Sequence, residues 1–264
     1  MSSGQTSSSQ IRFVDTAISP ATGRIAGLLV SVRDQDELCE VLSLPVDIVD
    51  LKEPNRGPLA AADIALWEYA DQVWRQQGER LEGEDVELPF LSAALGESEE
   101  AFQVSCRLPD LFRFAKVGPH RCDSKTRLSE VWDRIGQLLP TSTELVGVAY
   151  ADCGSAVSLE PEEVFRLAAS SGLRRCLIDT FTKDGRSTVE LLGWKRLEDL
   201  HSLAQELGLW WTLAGSIRSS EVAVIQSQGW MPNCFGVRGD VCEGERTSRI
   251  SKSGVKRWAN QLDG

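Results

Sequence analysis

The segment Asp47-Ile48-Val49-Asp50-Leu51-Lys52-Glu53-Pro54-Asn55-Arg56-Gly57 begins as an apolar, β-branched run and ends in charge, proline and glycine. This order is typical of a buried strand that delivers polar side chains to the loop at its carboxyl end. Side chains alternate along a strand, so Asp50 and Lys52 leave it on the same side. If that side faces a barrel mouth, Lys52 is a candidate nucleophile for a carbonyl substrate. An ordinary ion pair at a strand end explains the same two residues.

Outward from this segment, short apolar runs alternate with runs of helical periodicity. Besides the opening segment, the predicted strands cover 25–32, 88–94, 111–117, 144–151, 175–180, 209–214 and 234–237. The predicted helices cover 36–44, 59–76, 97–105, 124–139, 161–170, 197–207, 219–228 and 251–262. Eight strands and eight helices predict an α/β fold, a closed (β/α)8 TIM barrel. The alternative, an open doubly wound sheet, lacks its Gly-rich dinucleotide fingerprint here.

The composition fits one such domain. The chain has 264 residues, of which 42% are hydrophobic and 25% charged, and barrels of this type occupy about 250 residues. Residues 1–24 are Ser-rich without a hydrophobic stretch, which predicts a disordered leader before a single barrel domain at 25–264. The net charge of −11 argues against a nucleic-acid partner, and no apolar run approaches the ~20 residues of a membrane span.

The seven cysteines form no Cys-x-x-Cys pair, and the chain has only two histidines. Scattered cysteines in odd number predict reduced thiols and a cytoplasmic protein, not a disulfide framework. The same composition gives little support to a zinc site, so no metal and no cofactor are predicted. The sequence does not give the oligomeric state, and a homo-oligomer is left open.

Two further lysines share a rim with Lys52, because Lys116 lies at the end of predicted strand four and Lys183 follows predicted strand six. An isolated amine with a pKa near 10.4 is neutral only about once in a few thousand molecules at pH 7. Burial and neighbouring cations lower such a pKa, whereas carboxylates such as Asp50 and Asp179 raise it. The sequence gives no distances and therefore leaves this balance undecided.

Strands seven and eight are followed by Ala214-Gly215-Ser216 and Gly236-Val237-Arg238-Gly239. The backbone N–H groups of Gly215, Ser216 and Gly239 can hold an anion at the place where such barrels bind phosphate. The alternative is that these glycines only terminate the strands. Glu243 and Glu245 nearby would disfavour an anion, unless Arg246 or Arg249 neutralises them.

Together these motifs resemble the (5-formylfuran-3-yl)methyl phosphate synthase family, also called 4-(hydroxymethyl)-2-furancarboxaldehyde-phosphate synthase, of methanofuran biosynthesis. The resemblance spans about residues 26 to 262. It rests on Asp50-Leu51-Lys52-Glu53-Pro54, Lys116-Val117-Gly118, Val148-Ala149-Tyr150-Ala151-Asp152, Leu177-Ile178-Asp179-Thr180, Lys183-Asp184-Gly185, Leu213-Ala214-Gly215-Ser216 and Gly236-Val237-Arg238-Gly239. All of these lie in order at the predicted strand ends.

The resemblance implies a barrel related to class I aldolases. It also implies a lyase that joins two molecules of glyceraldehyde 3-phosphate, a small triose phosphate, with loss of phosphate and water, for one-carbon metabolism. Lys52 then matches the Schiff-base lysine and Lys116 the proton acceptor, with Lys183, Asp50 and Asp179 as the remaining catalytic groups. The corresponding substrate- and phosphate-binding candidates are Gly215, Ser216, Arg238, Gly239, Tyr150 and Asp152. One alternative is another Schiff-base aldolase or a sugar-phosphate isomerase on the same barrel, which product analysis would separate. The other is a non-catalytic scaffold barrel, which would be expected to lack a rim lysine, whereas all three are present.

Overall fold

A computed structural model describes residues 24–82 and 88–263, and its eight strands close into a parallel barrel in chain order. The strands are β1 Gly27–Val32, β2 Ile48–Leu51, β3 Phe90–Glu97, β4 Phe112–Gly118, β5 Glu144–Tyr150, β6 Arg175–Asp179, β7 Trp210–Leu213 and β8 Cys234–Val237. Pairing of β8 with β1, Cys234 opposite Gly27, closes the ring. The predicted (β/α)8 barrel is confirmed.

The helices are α1 Gln35–Val41, α2 Ile64–Arg80, α3 Ser98–Val104, α4 Lys125–Leu138, α5 Cys153–Ala156, α6 Pro161–Ser170, α7 Thr188–Leu192, α8 Trp194–Glu206, α9 Ser219–Ser227 and α10 Lys252–Leu262. Short α5 and α7 were not predicted. The capping box of Ser187 and Glu190 starts α7. Helix α2 begins later than predicted, because residues 53–63 form a loop that returns to β2, where Lys52 and Ala61 make an antiparallel bridge.

The amino-terminal end of the barrel interior is closed by aromatic and charged side chains. The Arg175 guanidinium lies 4.8 Å from the ring centre of Phe114 and 4.5 Å from that of Trp210. Its Nε donates a 3.1 Å hydrogen bond to Glu144. Trp210 therefore lies beneath the barrel interior. The opposite end carries polar groups, so a ligand enters there.

The predicted leader lies outside the described residues, apart from Arg24. Its guanidinium is 2.9 Å from Asp47, and its backbone bridges Asp263, so Arg24 belongs to the barrel. No helix in the described ranges is long and apolar enough to cross a membrane. All seven cysteines fall within these ranges, and none is in a disulfide.

Candidate active site

Asp50 on β2 is a fully buried carboxylate at the carboxyl end of the barrel. The barrel register sets Ser31 on β1 and Ser92 on β3 beside it, and their hydroxyls donate hydrogen bonds of 3.1 and 2.9 Å. Lys116 Nζ, from β4, lies 2.5 Å from Asp50 Oδ1. Burial raises the pKa of Asp50, but the charges of Lys116 and Lys52 and these hydrogen bonds outweigh it and leave the pKa below its usual value. Asp50 therefore stays ionised and pairs with Lys116.

A second ion pair lies at the end of β6. Lys183 Nζ donates to Asp179 Oδ1 at 2.7 Å and to Thr180 Oγ1 at 2.9 Å, and the backbone N–H of Thr180 donates to the same carboxylate at 2.7 Å. Burial raises the pKa of Asp179. The charges of Lys183 and Lys52 lower it by more, so the pKa lies below its usual value. The Asp179 carboxylate is thus a fixed negative charge held mainly by Lys183.

Lys52 differs from the other two lysines. It follows β2 directly and is half-buried, yet it forms no ion pair with any residue in the described ranges. Burial lowers the pKa of Lys52 to about 8; Asp179 and Asp50 oppose this, and Lys183 and Lys116 add to it. The simple strand-end pair of Asp50 with Lys52 is therefore wrong, because the carboxylate's ion-pair partner comes from another strand.

One cavity at the carboxyl end of the barrel brings these groups together. All five residues predicted to be catalytic line it, as do the glycine-rich ends of β7 and β8. Its wall also includes Leu29, Leu59 and Leu177, which exclude water from one side. The cavity thus combines a poised amine, two ion pairs and an apolar wall, the arrangement expected for chemistry on a small polar carbonyl compound.

The predicted anion cradle forms part of this cavity. Gly215 has φ +86° and Ser216 φ +54°, a left-handed turn that aims successive N–H groups in one direction. A Cβ at position 215 would collide with Thr188 Oγ1 and approach the backbone nitrogen of Thr180 to 2.8 Å, so only glycine fits. The backbone N–H groups of Gly215, Ser216 and Gly239 donate to no acceptor in the described part of the chain. They are free to bind a ligand oxygen.

Arg238 lines the cavity, but its guanidinium does not serve the role predicted for it. Its N–H groups donate to both carboxylate oxygens of buried Glu37, at 2.8 and 3.2 Å, and to the backbone oxygens of Ser31, Ser248 and Arg246. These five contacts use the five donors of an arginine. The prediction of Arg238 as a phosphate ligand is therefore wrong, and its role is to fix the loop after β8.

Arg246 and Arg218 are cations of the cavity wall that the sequence analysis did not assign to the site; Arg218 pairs with Glu190. Arg246 donates to the backbone oxygens of Pro54 at 2.7 Å and Gly57 at 3.4 Å. The expected neutralisation of Glu243 and Glu245 is not seen, because both are exposed and lie off the cavity wall. Arg249 pairs with Glu40 instead. A basic residue seven positions beyond Gly239, the end of the glycine-containing segment after β8, was the only signal available.

Tyr150 and Asp152 lie outside the cavity wall, contrary to their predicted binding roles. The Tyr150 hydroxyl donates a 2.7 Å hydrogen bond to Glu97. Asp152 accepts hydrogen bonds from the backbone N–H groups of Phe181 and Thr182 at 2.6 and 2.7 Å, so it shapes the loop that carries Lys183. Within the described ranges no group of three or more His, Cys, Asp or Glu side chains is arranged to hold a metal ion.

Comparison with known proteins places this site in a family. The family model of 4-HFC-P synthase matches residues 28–259, nearly the whole barrel. The chain belongs to the 4-HFC-P synthase family. A (5-formylfuran-3-yl)methyl phosphate synthase of Methanosarcina barkeri (strain Fusaro / DSM 804) is 28% identical over 241 residues, covering 87% of this chain and 96% of the relative. The (5-formylfuran-3-yl)methyl phosphate synthase of Methanothermobacter thermautotrophicus is 28% identical over 245 residues, covering 89% of this chain and 98% of the relative.

Solved structures agree on the fold. A putative fructose-1,6-bisphosphate aldolase from Coccidioides immitis superposes with a TM-score of 0.58 at 12% identity, covering 90% of this chain and 91% of the aldolase. Phosphoribosyl anthranilate isomerase from Thermus thermophilus superposes with a TM-score of 0.54 at 12% identity, covering 89% of this chain and 98% of the isomerase. These likenesses establish the barrel alone. The family membership and the named synthase relatives support an enzyme.

Proposed function

We propose that this protein condenses two molecules of glyceraldehyde 3-phosphate into (5-formylfuran-3-yl)methyl phosphate, with loss of one phosphate and of water, through an imine on Lys52. The product would feed a methanofuran-type one-carbon carrier. Membership of the 4-HFC-P synthase family supports the reaction, and the names of the archaeal relatives give its product. The chemistry of the cavity supports the mechanism.

The proposal rests on the difference in ion pairing and pKa between Lys52 and the other two lysines. Lys116 and Lys183 are each held by a buried carboxylate, whereas Lys52 has no ion pair with a described residue and its pKa falls to about 8. At pH 7 about one Lys52 in ten is neutral, against roughly three in ten thousand for a lysine with the ordinary value. Only the neutral amine attacks a carbonyl, so the site selects Lys52 as the nucleophile.

The first half-reaction uses Lys52 and the Asp50–Lys116 pair. Lys52 Nζ adds to the aldehyde carbon of one triose phosphate, and loss of water gives an iminium that acidifies the neighbouring carbon. The Asp50–Lys116 pair then accepts that carbon's proton as a unit, because ionised Asp50 has room for one more proton. The electron pair moves to the next bond and expels phosphate from the third carbon. Lys116 was expected to be the acceptor alone, and its 2.5 Å contact with Asp50 makes the two groups act together.

Loss of phosphate leaves an enol conjugated to the Lys52 iminium. In the second half-reaction the methylene carbon of this enol bonds to the central carbonyl carbon of the other triose phosphate, in its ketose form, whose phosphate is retained. We assign that phosphate to the N–H groups of Gly215, Ser216 and Gly239. Lys183, fixed by Asp179 and Thr180, is placed to donate a proton to the oxygen that forms as the new carbon–carbon bond closes. Ring closure and loss of two water molecules then give the aromatic furan, and hydrolysis of the iminium releases Lys52.

Borohydride trapping tests the covalent step. The protein is incubated with glyceraldehyde 3-phosphate, reduced, and mapped by mass spectrometry; the adduct is expected on Lys52. The Lys52→Ala variant should lose both the adduct and turnover while its circular dichroism stays that of the wild type. The matched control is Lys195→Ala, which removes a lysine whose side chain is 77% exposed and should change neither. Undiminished product from Lys52→Ala would refute the covalent role.

Product analysis tests the overall reaction. The furan synthase releases inorganic phosphate and forms an ultraviolet-absorbing aldehyde in equal amounts. A plain aldolase or a sugar-phosphate isomerase on the same barrel gives neither. Rapid trapping on Lys52 with no phosphate release would therefore keep the Schiff base and overturn the furan synthase.

A further inference from the structure

We propose that Arg246 contacts the substrate's phosphate and thereby couples phosphate binding to closure of the loop that follows Lys52. This inference deepens the proposed function and depends on a phosphorylated substrate. It is carried by three features: the loop over the cavity, the hydrogen bonds that tie Arg246 to that loop, and the absence of a carboxylate partner for Arg246 in the described part of the chain.

The loop of residues 53–63 folds back over the cavity. Its base is held where Lys52 bridges Ala61 and where the Glu53 N–H donates to the Ala60 oxygen at 2.9 Å. Its middle is held by the Gly96 N–H, which donates to the Leu59 oxygen at 2.8 Å. Leu59 is 1% exposed and lines the cavity. The loop therefore contributes an apolar wall to the pocket that Lys52 enters.

Arg246 ties the outer part of this loop to the loop after β8. Its Nη1 donates to the Pro54 oxygen at 2.7 Å and its Nη2 to the Gly57 oxygen at 3.4 Å. The Arg246 backbone is itself fixed, since its carbonyl accepts a 2.8 Å hydrogen bond from Arg238 Nε. Two of the five guanidinium donors are used by the loop, and three remain for a ligand.

The base of the Arg246 side chain lies beside the anion cradle. A Cβ built on Gly239 would lie 3.5 Å from the Arg246 Cβ, and both residues line the cavity. Arg246 forms no ion pair within the described ranges, and burial lowers its pKa even though Asp179 partly restores it. Arg246 is half-buried, so its guanidinium loses part of its hydration, and a ligand that supplies negative charge offsets this cost. A phosphate beside Gly239 supplies this charge in the geometry that arginine prefers.

Binding and loop closure are therefore linked. A phosphate that holds the Arg246 guanidinium also strengthens its hold on Pro54 and Gly57, and the loop closes over Lys52. Because a ligand that binds only the closed loop stabilises it, an aldehyde that carries a phosphate should react with Lys52 more readily than an aldehyde that lacks one. Specificity for phosphorylated substrates then arises at a residue remote from the reacting carbon.

The first test uses inorganic phosphate, with no reaction required. Isothermal titration should show binding to the wild type and about 10- to 100-fold weaker binding to Arg246→Ala. Hydrogen exchange of the backbone in 53–61 should slow when phosphate is added to the wild type but not to Arg246→Ala. Arg246→Lys, which keeps the charge but not the two-carbonyl bridge, should regain part of the affinity without the slowing.

The matched control is Arg249→Ala, which removes one arginine from the same loop but outside the cavity wall. It should bind phosphate as the wild type does. If phosphate binds the wild type and Arg246→Ala equally, the contact is overturned. If it binds through Arg246 but leaves exchange in 53–61 unchanged, the coupling is overturned. Because the wild type alone gives the exchange result, a variant that fails to fold does not remove the test.

The second test supplies the aldehyde and the phosphate of the substrate as two separate molecules. Reductive trapping of unphosphorylated glyceraldehyde on the wild type should become several-fold faster when inorganic phosphate is added, and phosphate should have no such effect on Arg246→Ala. Trapping that phosphate only inhibits would contradict the coupling. Failure of the proposed furan synthesis would instead appear as normal phosphate-stimulated trapping without furan product, so the two failures are distinguishable. If no aldehyde is trapped at all, the phosphate titration and exchange results still decide the role of Arg246.

Discussion

The pH dependence of Lys52 acylation is the most direct consequence of the charges around it. Burial is the main cause that lowers its pKa to about 8, and of the two cations that lower it further Lys183 has the larger effect. Lys183→Met removes this cation and also leaves Asp179 without its 2.7 Å partner, and both changes favour the ammonium form of Lys52. The pKa of Lys52 should therefore rise in this variant.

The expected size follows from the ionised fractions. With a pKa of about 8, roughly one Lys52 in ten is neutral at pH 7. A neighbouring charge moves such a value by about one unit or more, so Lys183→Met should leave about one in a hundred neutral. Acylation at pH 7 should fall about tenfold. Wild type and variant should converge near pH 10, where both amines are mostly neutral.

Competitive acetylation with trace acetic anhydride measures this for each lysine separately. Peptide mapping reads the extent of labelling at Lys52 against pH, and Lys195 in the same sample is the internal reference. Hydrogen bonds to Asp199 and Glu198 raise the pKa of Lys195 above its usual value. Half-maximal labelling of Lys52 is thus expected near pH 8, well below that of Lys195. Circular dichroism checks that the variant is folded.

Two results would refute the reasoning. If Lys52 and Lys195 label with the same pH dependence in the wild type, burial does not poise Lys52. If the midpoint of Lys52 stays unchanged or falls in Lys183→Met, the ion pair at the end of β6 has no electrostatic effect on Lys52. The first outcome would remove the main argument for Lys52 as the nucleophile, and the second would remove the contribution assigned to Lys183.

Three further predictions concern stability. Gly215→Ala should lower the free energy of unfolding by about 1–3 kcal/mol, because it puts a Cβ against Thr188 at φ +86°; thermal unfolding measures it, and an unchanged midpoint would contradict it. Lys52→Met should stabilise the protein by about 1–2 kcal/mol at pH 7 in urea unfolding, because the folded state disfavours the ammonium below about pH 8; this gain should vanish as the pH approaches the ordinary value of 10.5. Lys116→Met should instead destabilise by about 3–5 kcal/mol, since it strands the Asp50 carboxylate in the interior; equal effects of the two lysine substitutions would be inconsistent with the assigned pairing.

The sequence predicted the barrel and the gathering of charged residues at its carboxyl end because both follow from local rules. Strand runs ending in charge place Lys52, Lys116 and Lys183 on one rim, and a closed parallel barrel brings that rim together. The left-handed turn at Gly215 and Ser216 is likewise encoded locally. These features need no knowledge of distances between strands.

The partners of the charged groups could not be predicted in this way. The sequence places Asp50 two residues from Lys52, yet its partner Lys116 is 66 positions away in the sequence, because the inward side chains of β2 and β4 meet across the barrel. Arg238 looked like an anion ligand until Glu37, on the helix after β1, was found to hold it. Pairing of charges depends on tertiary contact, and only the structure separates an arginine that is committed from one that is free.

The unpaired cations of the cavity match the two ends of a triose phosphate. Cations that line it, other than Lys52 and Arg246, each pair with a described carboxylate. Carboxylates are not scarce, since the chain has 39 Asp and Glu against 28 Lys and Arg, so the lack of described partners for these two is not a matter of composition. Arg246 donates a hydrogen bond to the backbone oxygen of Pro54. Pro54 is two residues after Lys52, which is a span of at most about 7 Å along the chain. An amine for an aldehyde and a guanidinium for a phosphate thus lie near each other, so substrates that carry both groups should satisfy the site better than substrates with either one.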